Sequence, residues 1–372
     1  MFFTVCPHAD SRLPYHDSIG DMVLSHDAGW HSKDSDVWFK GYKHNNIEHS
    51  NFAEITNNNN HIQVHTGNAR SFPLWWNEES QTLTNLAPTG VQMFADRVPN
   101  IGTQSNFEWR DVIGNIDTSE ITVSQAVDLI VQNLCAKARA LAQDYSHLPL
   151  RLFITGGIDT VTLFALMRNQ NIDFELLNYN HFEFDHFLNA QYPLLKETHW
   201  AYQRIHHWTK PCMLLTGANG DESMMRGPGT LSTWAAWHNI NVLELLKQQP
   251  GYHSNYFGKA ANAELFEHQL QHAQDVREKY PTKHSLFKSI VDINLNDHQY
   301  WHLGHTLTWT PFADAEITKI MLRLSTSDMI SQIIDATVSR QVIQRLYEPA
   351  VELISDRKNV GTRKKLHLLD VI

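Results

Sequence analysis

Cysteine is scarce in this chain and basic charge is in deficit. The 372 residues hold three cysteines, Cys6, Cys135 and Cys212. They are odd in number and far apart, which argues against a disulfide framework or a paired-cysteine metal site and predicts a reducing compartment, the cytoplasm. Thirty Lys and Arg stand against forty Asp and Glu, a formal charge of −10. A broad polyanion-binding face is therefore not expected, and nucleic acid is a poor partner. No apolar run approaches the roughly 20 residues of a membrane span. The start MFFTVCPHADSRLPYHD lacks the basic residues and apolar stretch of a secretory leader. Also missing is any GxxxxGK[ST] segment, so the lysine-bearing phosphate loop of the commonest nucleotidases is excluded.

What is present can fill a sizeable core: 42% of the residues are hydrophobic, and the length predicts two or three domains. The first hundred residues are rich in Asn, His, Trp and Gly. Short runs such as HIQVH and SFPLWW predict short strands joined by long loops. From Ile121 the period changes. Val127, Ile130, Leu134, Ala138 and Leu141 recur at three- and four-residue steps, an amphipathic helix with Thr or Ser available as its cap. A strand in HLPLRLFI, a glycine turn and a helix in TVTLFALMRN follow. DFELLNY is a second buried strand candidate, and CMLLTGANGDESMM repeats the order of apolar run, glycine turn and acidic residues. Strands alternating with helices imply a parallel sheet. Periodic segments at 316–324, 329–334 and 342–354 make the last hundred residues mostly helical.

In a parallel sheet, ligands gather at the carboxyl ends of strands. A loop from strand to helix there offers backbone N–H groups at the positive end of a helix dipole. In RLFITGGIDTVTLF, Gly156 and Gly157 allow close backbone approach, and Thr155 and Thr160 add hydroxyls. Those are the properties of a phosphate cradle. A carboxylate beside phosphate needs a cation between them, which makes Asp159 a candidate Mg²⁺ ligand. Taken alone, TGGID is also consistent with a tight turn in which Asp159 serves as a first-turn charge. The second strand end, LLTGANGDES, supplies Gly217, Gly220, Asp221 and Glu222, and Asp221 joins Asp159 as a candidate ligand.

The run Thr155 to Thr160 resembles the SGGxDS loop of ATP pyrophosphatases, and TGANGDE resembles the second signature of their asparagine synthetase branch. TWTPFADAEITKIMLRLS is similar to that branch's PF-D segment, at Pro311, Phe312 and Asp314. SRQVIQRLYEPAVELISDRKNVG is similar to its terminal helical region with its arginine and lysine, at Arg340 and Lys358. The resemblance spans Thr118 to Gly361 in the family's order. It implies an α/β fold: a parallel sheet with helices on both faces, of the ATP pyrophosphatase (HUP-like) kind, over 116–372. A β-rich domain over 1–115, a shortened glutaminase-like remnant without the nucleophile, would precede it and a helical C-terminal region would close it.

By the same resemblance the chain binds ATP and Mg²⁺ and adenylates a small carboxylate substrate. It would then form an amide with ammonia or an amine, releasing pyrophosphate and AMP. Asp159 and Asp221 would hold Mg²⁺. Thr155, Gly156, Gly157, Thr160 and Gly217 would hold the nucleotide, with Asn178 and Tyr179 at the second strand end. Lys358 would meet charge on the α-phosphorus; it also fits a solvated tail with Asp356, Arg357, Arg363 and Lys364. Two departures shape the expectation. Asparagine synthetases place a cysteine nucleophile after the initiator methionine, whereas this chain begins Met1, Phe2, Phe3, and HTGNARSFPLWWNEESQTLTNLAP resembles only late hairpins of their glutaminase domain. Glutamine hydrolysis is therefore not expected, and nitrogen would come from free ammonia, an amine or a separate amidotransferase. Ala218 stands where that family carries an acidic residue that assists proton transfer. Two alternatives remain: adenylation of a nucleobase or nucleoside, and a non-catalytic nucleotide-binding descendant. His181, Glu183 and Asp185 are further binding candidates; Trp234 reads first as core or interface, with Trp234 or Tyr202 lining a substrate pocket as the alternative. His302 and His305 in WHLGH are read as polar packing rather than a zinc site.

Overall fold

The computed structural model describes residues 3–11, 13–26, 32–34, 37–42, 51–58, 61–66, 75–77, 79–84, 92–93, 97–101, 106–109, 115–154, 157–177, 212–226, 228–248, 259–296, 306–312 and 315–354. Among these, the N-terminal part is built of strands: β1 (Phe3–Cys6), β2 (Tyr15–Ile19), β3 (Met22–His26), β4 (Ser32–Asp34), β5 (Val37–Tyr42), β6 (Asn51–Asn58), β7 (His61–Thr66), β8 (Trp75–Asn77), β9 (Thr82–Thr84), β10 (Gln92–Met93), β11 (Arg97–Ile101) and β12 (Asn106–Trp109). They pair antiparallel in two sheets, ordered β10-β8-β9-β1-β3-β2 and β12-β11-β7-β6-β5-β4. Alternation explains why they pack. Phe3, Val5, Ile19, Leu24 and Leu83 from one sheet share a core with Trp38, Ala53, Ile55, Ile62 and Val64 from the other. Asp17 ties them further, accepting from Trp38 Nε1 and meeting His26 Nε2, both at 3.1 Å.

The second part begins with α1 (Val123–Asp144), opened by a capping box in which Thr122 and Gln125 satisfy each other's backbone N–H. The five apolar positions predicted to face inward are all buried there, together with Ala126, Cys135 and Lys137. A parallel sheet follows, made of β13 (Leu150–Phe153), β14 (Glu175–Leu177), β15 (Cys212–Leu215) and β16 (Thr306–Trp309) in the order β14-β13-β15-β16. Arg151 and Glu175 pair across the β13–β14 edge at 2.9 Å. Strand β16 falls where the sequence pattern predicts mostly helix. TLTW is four residues rich in β-branched and aromatic side chains, and it pairs residue for residue with β15.

The helices are α2 (Ile158–Asn169), α3 (Gly220–Ser223), α4 (Pro228–Trp237), α5 (Val242–Lys247), α6 (Lys259–Lys279), α7 (Lys283–Asn296), α8 (Ala315–Met321), α9 (Thr326–Asp335) and α10 (Thr337–Tyr347), then a 3-10 turn at Glu348–Leu353. Helix α2 is buried continuously from Val161 to Met167 because α10 and α1 both pack on it. Helices α9 and α10 meet at Ala336, which takes a left-handed φ of 54°. Buried Gln332 secures that corner. Its Oε1 accepts from Val338 and Ser339 N–H, and its Nε2 donates to Ser339 Oγ and to the Met224 carbonyl. Gln332→Ala should therefore lower stability by about 3 kcal/mol, since it strands buried donors and acceptors. Urea unfolding would measure the loss.

A smaller effect is expected at His238, whose ring lies 4.7 Å from that of Trp234. Burial, then the charges of Lys283 and Arg277, lower its pKa below the usual value of 6.5. Above that value both folded and unfolded chains carry it neutral. As the pH falls below about 6.5 the unfolded chain protonates first, so stability is lost on the acid side. His238→Gln should flatten that limb of a stability–pH curve.

No helix among the described residues is long and apolar enough to cross a membrane.

Candidate functional site

In sequence order the parallel strands run 2-1-3-4 across the sheet, so the connections leave β13 and β15 in opposite directions. A crevice opens at the carboxyl ends of such a pair. The loop into α2 leaves β13 there, and the loop into α3 leaves β15 there. Gly157 is the extended N-cap residue of α2, with φ −72° and ψ 147°, and it puts Asp159 in the first helical turn. Thr160 Oγ1 donates to the Gly157 carbonyl at 3.0 Å and braces that turn.

The second loop is fixed more heavily. Thr216 N–H donates to the Trp309 carbonyl at 2.9 Å, Ala218 N–H to Thr216 Oγ1, and Thr310 Oγ1 to the Ala218 carbonyl at 2.8 Å. Asn219 then takes φ 68°, a left-handed conformation, to start α3. Ser223 Oγ returns a bond to the Phe312 carbonyl at 2.6 Å. Asn294 Nδ2 donates to the Glu222 carbonyl at 3.1 Å and to Thr318 Oγ1. Lys137, 3% exposed on α1, donates from Nζ to the Pro311 carbonyl. The PF turn is thus part of the loop's support.

The two loops interlock through missing side chains. A Cβ on Gly217 would lie 2.8 Å from Asp159 Cβ and 2.9 Å from Thr160 N. One on Gly220 would lie 2.6 Å from Asp159 Cβ and closer still to its carboxyl. Both glycines are needed because Asp159 docks on them. For Gly217 this is a packing role, independent of the nucleotide contact that the family resemblance implies.

Asp159 and Asp221 converge, and a residue the sequence reading missed lies between them. Arg226 contacts Asp159 Oδ1 through Nη2 and Asp221 Oδ1 through Nη1, the latter at 2.9 Å. The Arg226 side chain is 9% exposed, against 19% for Asp159 and 41% for Asp221. Burial pushes the Asp159 carboxyl up to about 7. The Arg226 charge opposes that rise, and the charges of Asp221 and Glu222 add to it. The same carboxylates hold the guanidinium above its usual value against its own burial. No spacing rule links an arginine five residues after Asp221 to that signature, so nothing local in the sequence marks Arg226.

The donor set suits a hard divalent cation in kind, since it offers carboxylate oxygens from two strand ends. In the described arrangement a guanidinium holds one oxygen, Oδ1, of each carboxylate. No group of three or more His, Cys, Asp or Glu among the described residues is arranged to hold a metal ion. Thr155, Gly156, Asn178, Tyr179 and Lys358 lie outside the described residues, as do Asp314, His181, Glu183, Asp185, Tyr202, His302 and His305. Arg340 lies on α10 and donates from Nε to the Asp335 carbonyl at 3.1 Å. Trp234 is core, at 2% exposed. No protein-family model matches this chain, and no curated protein is significantly similar to it.

Proposed function

We propose that the chain is an ATP- and Mg²⁺-dependent, AMP-forming ligase that adenylates a small carboxylate and transfers the acyl group to ammonia or an amine. The observation that carries this reading is the meeting of Asp159 and Asp221, from the two strand ends that flank the sheet's switch point, on one guanidinium. Two carboxylates held in a half-buried crevice need a cation, a place that Arg226 fills in the described arrangement and that Mg²⁺ would take with nucleotide bound.

In this mechanism the first turn of α2 directs its dipole at the phosphates, and Thr160 keeps that turn in shape. Asp159 and Asp221 would hold Mg²⁺, which when bound screens the phosphate charge. Gly157 lets the backbone approach, while Thr155, Gly156, Asn178, Tyr179 and Lys358 take the parts that the asparagine synthetase resemblance implies. The acyl acceptor enters beside Ala218, which offers no side-chain base, so it must arrive deprotonated or lose its proton to another group.

Pyrophosphate and AMP release from ATP and Mg²⁺ tests the proposal, with a panel of carboxylates including aspartate, with and without ammonium. AMP formation that depends on a carboxylate supports the ligase. A second reading, a nucleotide-binding descendant without turnover, draws on Arg226 already neutralising the acidic pair. ATP binding with no turnover across the panel would favour it, and absence of ATP binding would defeat both.

A further inference from the structure

Arg226 is held in a conformation that a simple surface ion pair does not require. Its side chain is more than nine-tenths buried, and its Nε is enclosed with no hydrogen-bond partner among the described residues. The residue before it, Met225, is fully buried and takes a left-handed φ of 57°, which a non-glycine residue adopts only under constraint from its surroundings. A backbone bond from Arg226 N–H to the Asp221 carbonyl closes the turn that aims the side chain back at the crevice. Two glycines clear the space in which Asp159 meets it. Guanidinium stays charged at every pH a protein experiences, so it is a permanent counter-charge rather than a switchable one.

We propose that Arg226 is an internal counter-cation that competes with a divalent metal ion for Asp159 and Asp221, so that metal loading requires the guanidinium to leave the pair. The inference rests on the metal-assisted reading of the site given above. Three features support competition over a fixed structural role. Both carboxylates lie at the strand ends where a ligand is expected. The guanidinium meets them with its two terminal nitrogens and leaves Nε without a partner among the described residues. The α3 side of the crevice is anchored through Ser223, Asn294 and Gln332, so Asp221 stays in position when the arginine departs. A hard cation then inherits two oxygen donors that are already assembled.

Mn²⁺ alone, without nucleotide, is the probe, titrated into the full chain while free Mn²⁺ is followed by electron paramagnetic resonance. Arg226→Gln should bind one Mn²⁺ about tenfold more tightly than the wild type, because a neutral amide no longer competes for carboxylates. Arg226→Lys keeps the charge but reaches one carboxylate at a time, and should gain about threefold; it also serves if the glutamine variant fails to fold. Adding Asp159→Asn to Arg226→Gln should abolish the gain. Equal or weaker binding in both Arg226 variants, a gain that survives Asp159→Asn, or no Mn²⁺ binding by any form would each overturn the proposal. Carboxylate-dependent AMP release by the wild type, measured separately, divides the failures. Release without an affinity gain removes the competition and leaves the ligase, whereas a gain without release keeps the competition and removes the ligase.

Discussion

Asp159→Ala should reduce carboxylate-dependent AMP formation by about a hundred- to a thousand-fold, the size of loss seen when one contributor to charge stabilisation is deleted, because Asp159 would help hold the cation that stands between it and the phosphate. The effect should be large because Asp159 serves three neighbours at once. It meets Arg226, it fills the hollow over Gly217 and Gly220, and it stands in the first turn of α2. Alanine would leave the buried guanidinium with Asp221 as its remaining carboxylate contact, so some stability should be lost too. Asp159→Asn separates these contributions, since the amide keeps the volume and loses the charge. Activity measured on protein whose thermal unfolding is unchanged isolates the electrostatic part. Wild-type turnover in a folded Asp159→Asn variant would remove Asp159 from the mechanism.

Gly220→Ala should be comparably damaging for a steric reason. The new methyl would press on the Asp159 side chain, with Asp159 Cβ only 2.6 Å away. Relief requires α2 to retreat or α3 to tilt, and α3 is held at Ser223 and through the Glu222 carbonyl. Overpacking of this kind costs about 1–3 kcal/mol, and the separation of the two loops should reduce activity alongside stability. Urea unfolding and the AMP assay, run on the same preparation, test both. A fully active, wild-type-stable Gly220→Ala would show that the two loops need not touch.

Much of the second part was legible in the sequence because its signals are local. The three- and four-residue steps of Val127, Ile130, Leu134, Ala138 and Leu141 define one face of α1, and Thr122 with Gln125 announces its start. Strands β13, β14 and β15 stand out as short apolar runs between turn residues. Asp159 and Asp221 were legible because each follows a strand and a glycine turn. Strand β16 was not, since TLTW is defined by its pairing with β15, a partner some ninety residues earlier in the chain. Nor was the burial of Lys137: a lysine at a helical step predicts solvent, and only the Pro311 carbonyl across the fold explains its place. Arg226 belongs to the same class, because an arginine's partner depends on which two loops the sheet order brings together.

The cross-linking of Thr216–Ser223 to Trp309–Phe312 has a mechanical consequence. Hydrogen bonds from Thr216, Thr310 and Ser223 bind the two segments, and Lys137 clamps the second from α1. One jaw of the crevice is therefore a stiff anvil. Displacement caused by an entering molecule would then fall on the facing side of the crevice, the first turn of α2 at Gly157 to Thr160.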